Sequence, residues 1–176
     1  MTIHNILVHY NEIAIKGRNR GVFEKHLITN IRKALTGLPL DYIQQSARRL
    51  WLRSKKGEFF PPETFERLGR VAGISSFSPA IRTPLTMEAM KHAAYRLAEA
   101  EGEYDSFRIS SRRAFKNQPF DSMSTNVEIG DHVFDHRQAK VKMKGADLDI
   151  RVEMVPDSAY VYSKKYPGFG GLPLGP

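Results

Sequence analysis

Residues 5–35, NILVHYNEIAIKGRNRGVFEKHLITNIRKAL, hold a strand, a charged loop and a helix in direct succession, and this order sets how the first half of the chain folds. Asn5 to Tyr10 is an apolar run of strand length. Phe23, Leu27, Ile31 and Leu35 recur every fourth residue, with Ile28 and Ala34 beside them, which writes one apolar stripe along a helix. Gly37 and Pro39 stop that helix. The loop between, Tyr10 to Arg20, brings Lys16, Arg18 and Arg20 to the helix start. Free N–H groups already make that end positive, so each cation there costs roughly a few tenths of a kcal/mol. An external anion such as a phosphate, held by the N–H groups and the three side chains together, reverses the cost. A solvated basic loop, partly neutralised by Glu12, is the equally weighted alternative.

Working outward, Leu40 to Gln45 and Arg48 to Arg53 read as two strands. Pro61 to Val71 reads as a helix opened by proline, with Phe65 and Leu68 turned inward, and Ile74 to Phe77 closes the sheet. The order βαββαβ predicts a ferredoxin-like α+β sandwich with its helices on one face. Pro79 and Pro84 bracket what reads as a short, stiff linker. Beyond it Thr86 caps a helix, Leu85 and Met90 form a hydrophobic staple, and Met90, Ala93, Ala94, Leu97 and Ala98 supply the buried stripe up to Gly102. A strand at Phe107 to Ser110 follows, then a helix from Ser122 to His136 on the spacing of Met123, Val127, Gly130 and Phe134. Asp147 to Val155 alternates strictly, placing Leu148, Ile150, Val152 and Met154 inward and Asp147, Asp149, Arg151 and Glu153 outward. Ala159 to Ser163 pairs with it across the turn Pro156-Asp157-Ser158.

The chain's 27 Lys and Arg outnumber its 19 Asp and Glu, and the whole +8 surplus lies in residues 1–82, which hold 14 basic and 6 acidic side chains. The remainder is neutral in sum but segregated, acidic from Glu99 to Asp105 and basic at Arg108, Arg112, Arg113, Lys116, Arg137, Lys140, Lys142 and Lys144. Such asymmetry points to a polyanion, nucleic acid before membrane. The sequence has no stretch of about 18 apolar residues and no hydrophobic secretion core. With no cysteine there is no disulfide, thiolate nucleophile or Cys-based zinc site, so a soluble cytoplasmic protein is expected.

Three further constellations carry chemistry. Arg49, Trp51 and Arg53 share one strand face, where cations and an aromatic ring could hold phosphates and stack a base. Packing by Trp51 with solvating arginines is the stronger reading of the two. Ser110-Ser111-Arg112-Arg113 leaves a strand with two adjacent arginines that cannot share a face, so a bend is expected to display at least one to phosphate. Lys164 and Lys165 are similar but less specific. His132 and His136, flanked by Asp131 and Asp135, have the i, i+4 spacing of helix-borne metal ligands but lack an intervening Glu. A metal-dependent phosphoesterase using His132, Asp135 and His136 is therefore the minor alternative, and a module docking an acidic protein partner is the other. Gly168-Phe169-Gly170-Gly171 has no helix after it to receive a phosphate and is not a nucleotide loop.

Two distant segments, Glu12 to Arg20 and Pro167-Gly168-Phe169-Gly170-Gly171-Leu172-Pro173-Leu174-Gly175, resemble the N-terminal region of the tRNA 4-thiouridine synthetase family. The resemblance covers essentially the whole chain. It implies a ferredoxin-like domain at residues 1–78 followed by a THUMP α/β RNA-binding domain at 79–175, with Gly-Gly-Leu-Pro marking the exit from the latter. It also implies a role in holding the acceptor stem and 3′ end of tRNA while uridine 8 is thiolated. The ATP pyrophosphatase domain that does the thiolation in the family, with its Ser-Gly-Gly-x-Asp-Ser loop and persulfide cysteine, does not match any part of this sequence. Either the chain is cut at a domain junction or it is a stand-alone subunit working with a separate catalytic chain. On both readings it is non-catalytic by itself, needs no cofactor or metal, and has tRNA as its partner, a homodimer being compatible with either. The candidate RNA-binding residues are Lys16, Arg18, Arg20, Arg49, Trp51, Arg53, Arg112, Arg113, Lys116, Lys140, Lys142, Lys164 and Lys165.

Overall fold

A computed structural model describes residues 2–10, 19–115 and 119–170. The chain divides into two compact units, residues 2–79 together with the segment from Lys164, and residues 80–163.

In the first unit, β1 (Asn5–Tyr10), α1 (Asn19–Ala34), β2 (Leu40–Ser46), β3 (Arg49–Ser54), α2 (Glu63–Leu68) and β4 (Ile74–Pro79) reproduce the expected βαββαβ order. The strands form an antiparallel sheet in the order β10-β4-β1-β3-β2, where β10 is Tyr166–Pro167 from the far end of the chain. The register sets Ile6 opposite Leu52 and Val8 opposite Leu50, so one sheet face is apolar. That face buries Phe23, Leu27, Ile31 and Leu35 of the α1 stripe, as the fourfold spacing requires. The second helix is shorter than Pro61 to Val71, covering Glu63–Leu68. Phe65 and Leu68 do pack inward, and Arg67 is diverted to the end of α1, where it donates to the carbonyls of Ala34 and Thr36 at 3.2 and 2.7 Å.

The fifth strand corrects the assignment of residues 164–170 to the second domain. Tyr166 faces Phe77 across β4, its ring 5.7 Å from Phe77 and 5.4 Å from Phe65. Gly168 and Gly170 donate to the carbonyls of Ser75 and Ile74 at 2.9 and 2.8 Å. Only glycine fits at 168, because a Cβ there would run into the Ile74 carbonyl. A glycine-rich segment that suggests a loop in sequence is thus an edge closure.

The second unit consists of β5 (Ile81–Thr83), α3 (Met87–Glu101), β6 (Ser106–Arg113), α4 (Ser122–His136), β7 (Lys140–Val141), β8 (Leu148–Val155) and β9 (Ser158–Tyr162). Its sheet order is β5-β9-β8-β6-β7, with β6 parallel to both β7 and β8. Ile81 to Thr83, expected as linker between the two prolines, is instead an edge strand paired with β9. The predicted cap holds: the Thr86 side chain accepts from the Ala89 N–H at 3.2 Å, and Met90, Ala93, Ala94, Leu97 and Ala98 are buried. The alternation of β8 holds for Leu148, Ile150, Val152 and Met154 but fails at Glu153, which is buried. Register places Glu153 between Arg112 of β6 and Tyr160 of β9, and the Tyr162 hydroxyl donates to its carboxylate. No helix among the described residues is long and apolar enough to cross a membrane.

Candidate nucleic-acid interface

On the first unit, Lys16 and Arg18 lie outside the described residues. Arg20 sits exposed in the first turn of α1, a turn with no acidic residue. Glu24, one turn on, accepts a hydrogen bond from the Tyr10 hydroxyl, and burial with this carboxylate pushes the phenol pKa well up.

Arg49, Trp51 and Arg53 do lie on the face of β3 opposite Leu50 and Leu52, but their groups are engaged by the protein itself. Trp51 is 5% exposed; its Nε1 donates to Asn5 Oδ1 at 2.6 Å and its ring meets Tyr42 edge-on at 5.3 Å. Arg49 is 6% exposed and donates to the Ala47 carbonyl at 2.7 Å. Arg53 pairs with Asp41 at 2.8 Å and lies 4.2 Å over the Tyr42 ring. A buried indole offers no face to a base, so the stacking expectation for Trp51 gives way to packing.

On the second unit the expected bend after Ser110 is absent. β6 continues to Arg113, with Arg112 opposite Glu153 and Arg113 opposite Met154. Both arginines are nonetheless exposed, for different reasons. Arg112 shares the helix-free face with Arg108 and Ser110. Arg113 shares the helix side with Ser111, where the first turn of α4 already meets the strand: the Ser111 N–H donates to Asn126 Oδ1 and its hydroxyl to the Ser122 carbonyl, both at 2.8 Å. The next helix-side residue therefore falls past the helix. Neither arginine makes an ion pair among the described residues, whereas Arg108 and Arg151 both pair with Asp149 and Arg82 pairs with Asp157.

Arg113 stands beside Asp121, the N-cap of α4. The Ser124 N–H and hydroxyl donate to this carboxylate at 3.0 Å and hold it below the usual range, and the Arg113 charge adds to the effect. Asp121 also lines a groove of about 630 Å³, whose floor is Phe107 and Ile109 and whose walls are Met123, Val127, Val141 and Met143. The spacing of Met123, Val127, Gly130 and Phe134 places the helix over Ser122–His136 as expected but does not mark its inward side. α4 buries Thr125, Ile129 and Val133, and leaves Met123 and Val127 76% and 57% exposed. Polar Thr125 hides the true inward face from a hydrophobicity pattern.

Lys140 and Lys142 are exposed where β7 joins the start of β6, Lys140 opposite Ser106. Arg112 and Arg113 are at the other end of the same strand, about 20 Å away at strand rise. Lys116 lies outside the described residues. Lys164 and Lys165 are exposed and lead into β10 of the first unit, so they do not belong to the second unit as expected.

The metal reading finds no support among the described residues. The His132 and His136 rings pack at 4.6 Å, His136 Nδ1 lies 2.8 Å from the His132 carbonyl, and the Tyr95 ring packs at a tilt 4.3 Å from that of His136. Among the described residues no group of three or more His, Cys, Asp or Glu could hold a metal ion. The His132 pKa is lowered by burial and then by the His136 and Lys91 charges.

Comparison with known proteins converges on one pattern. Residues 5–78 match the ThiI ferredoxin-like domain and residues 85–164 the THUMP domain. A probable tRNA sulfurtransferase from Staphylococcus aureus is 35% identical over 99% of this chain, which spans 43% of that protein's length. The crystal structure of PH1313 from Pyrococcus horikoshii superposes with a TM-score of 0.86 at 32% identity, over 98% of this chain and 58% of its own. A 4-thiouridine synthetase solved as an RNA complex with bound ATP shares the fold, with a TM-score of 0.79 at 23% identity over 98% of this chain and 44% of its own. A ThiI-type ferredoxin-like domain followed by a THUMP domain makes this chain resemble the N-terminal region of the tRNA sulfurtransferases.

Proposed function

We propose that this chain is a tRNA-binding module that presents the acceptor end of tRNA for 4-thiouridine formation at uridine 8, the chemistry residing in a catalytic domain outside it. Arg112 and Arg113 carry the reading: two adjacent guanidinium groups, exposed and without ion pairs among the described residues, of which Arg113 stands beside Asp121 at the edge of an open apolar groove. Guanidinium forks match phosphate oxygens, and an apolar floor suits bases that have left a helical stack. The 3′ end of a tRNA combines the two. Lys16, Arg18 and Arg20 of the first unit then support the duplex stem, which is read through its phosphates. The relatives' names and the RNA-bound neighbour support the same class of ligand.

Salt-titrated tRNA binding tests this directly. A steep fall of log affinity with log salt is expected if several phosphates are neutralised. Removing the single-stranded 3′ end weakens the wild type but adds little to an Arg112→Ala/Arg113→Ala variant, because the same contacts are already gone. A Lys16→Ala/Arg18→Ala variant loses its full increment on the same truncation. Full additivity in both variants overturns the assignment of the 3′ end to the second unit, and equal affinity for tRNA and a random RNA of the same length favours an acidic protein partner instead.

A further inference from the structure

The ion pairs and hydrogen bonds of β3 leave one end of the first sheet unexplained. Asn5 pairs with Arg53, so His4 and the turn after Ser54 meet there, around a cavity of about 300 Å³ lined by His4, Arg53, Lys55, Lys56 and Gly57. The turn is firmly built. Lys55 donates to the Pro39 carbonyl at 2.8 Å and Glu58 to the Lys55 carbonyl at 2.9 Å. The Glu58 carbonyl in turn accepts the Ser54 hydroxyl at 2.8 Å and lies 3.0 Å from His4 Nδ1.

Inside this frame the N–H groups of Lys56 and Gly57 have no acceptor among the described residues, and Gly57 holds a left-handed φ of +78°. The bond from the Glu58 N–H to the Lys55 carbonyl, with Gly57 at positive φ, makes this a β-turn whose two central N–H groups are left for an external acceptor such as an anion. Of the cations, Arg53 is paired with Asp41, while Lys55 and Lys56 make no ion pair among the described residues. With Glu58 counted, three permanent cations face two carboxylates, leaving one positive charge for a group of one negative charge.

We propose that the Lys55–Gly57 turn is a binding site for a phosphate group, the phosphodiester of an RNA backbone or a free phosphate. It is distinct from the loop carrying Lys16, Arg18 and Arg20, which joins the other end of β1 about 17 Å away at strand rise. The RNA source rests on the proposed tRNA-binding function; the phosphate chemistry does not.

The test is amide NMR of the full chain, titrated with inorganic phosphate against chloride of equal ionic strength, and then with a blunt RNA duplex. The Lys56 and Gly57 amides are expected to shift with both. A Lys55→Ser/Lys56→Ser variant should lose those shifts, bind duplex roughly tenfold more weakly, and show a log–log salt slope shallower by roughly 0.9, one phosphate contact. Shifts with phosphate alone assign the site to a free phosphate. Shifts with neither overturn the proposal. Phosphate shifts in a protein that binds no RNA at all end the tRNA reading and leave this site standing.

Discussion

Strands β3 and β6 both carry arginines beside their apolar positions, and the molecule uses them in opposite ways. Arg49 and Arg53 of β3 are taken up by the Ala47 carbonyl and by Asp41 with Tyr42, and Trp51 between them is buried. Arg112 and Arg113 of β6 have no ion pair among the described residues. The difference lies in their neighbours rather than in the arginines: Asp41 across the hairpin takes up Arg53, whereas Glu153 opposite Arg112 is buried and bound by Tyr162, and Arg113 lies past the first turn of its covering helix. A cation's availability to a ligand is set by register and by where a helix begins.

The largest expected effect tests the closure of the first sheet, which has no counterpart in the second. Gly168→Ala should destabilise the first unit by roughly 2 kcal/mol or more, since the Cβ meets the Ile74 carbonyl and β10 must leave β4. Gly170→Ala, where only the φ of +74° is at stake, should cost about 1 kcal/mol. Equal melting temperatures for the two variants would show that β10 contributes nothing.

Next come the arginines themselves. Arg112→Ala/Arg113→Ala should reduce tRNA affinity roughly 30-fold, about 2 kcal/mol, with thermal stability within about 0.5 kcal/mol of wild type. Arg49→Ala should do the reverse, lowering stability by about 1 kcal/mol while leaving tRNA affinity nearly unchanged. The same pattern from both variants would dissolve the contrast between the strands.

The hairpin joining β2 to β3 gives a smaller effect of opposite sign. Ala47 and Arg48 hold φ of 49° and 63°, where glycine is unstrained. Arg48→Gly is expected to stabilise the protein by about 0.5–1 kcal/mol in chemical unfolding.

The smallest effect concerns the second unit's α4. Hydrogen bonds from Ser124 hold the Asp121 carboxyl below its ordinary value of 3.8, with Arg113 contributing. The native state then binds a proton less readily than the unfolded chain. The cap's stabilisation is complete above the unfolded value and is lost as pH falls through the lower native value. Asp121→Asn should keep the cap and flatten this acid dependence of the melting temperature, whereas Arg113→Ala should shift it slightly upward in pH.

Local pattern was legible wherever one residue type decides one structural feature. The fourfold spacing of Phe23 to Leu35, the Thr86 cap with its alanine stripe, and the alternation of Leu148 to Met154 each specify an element by themselves, because helix and strand periods are properties of the backbone. The βαββαβ order followed from the same reading. The sequence did not reveal that Tyr166 and Gly168 return to β4, that Thr125 rather than Met123 faces inward, or that Glu153 is buried against Tyr162. Nor did it reveal that Lys55, Lys56 and Gly57 border a cavity with His4. Each of these depends on a partner between 9 and 93 residues away or on which side of a helix meets a sheet, and such contacts exist only once the chain has closed.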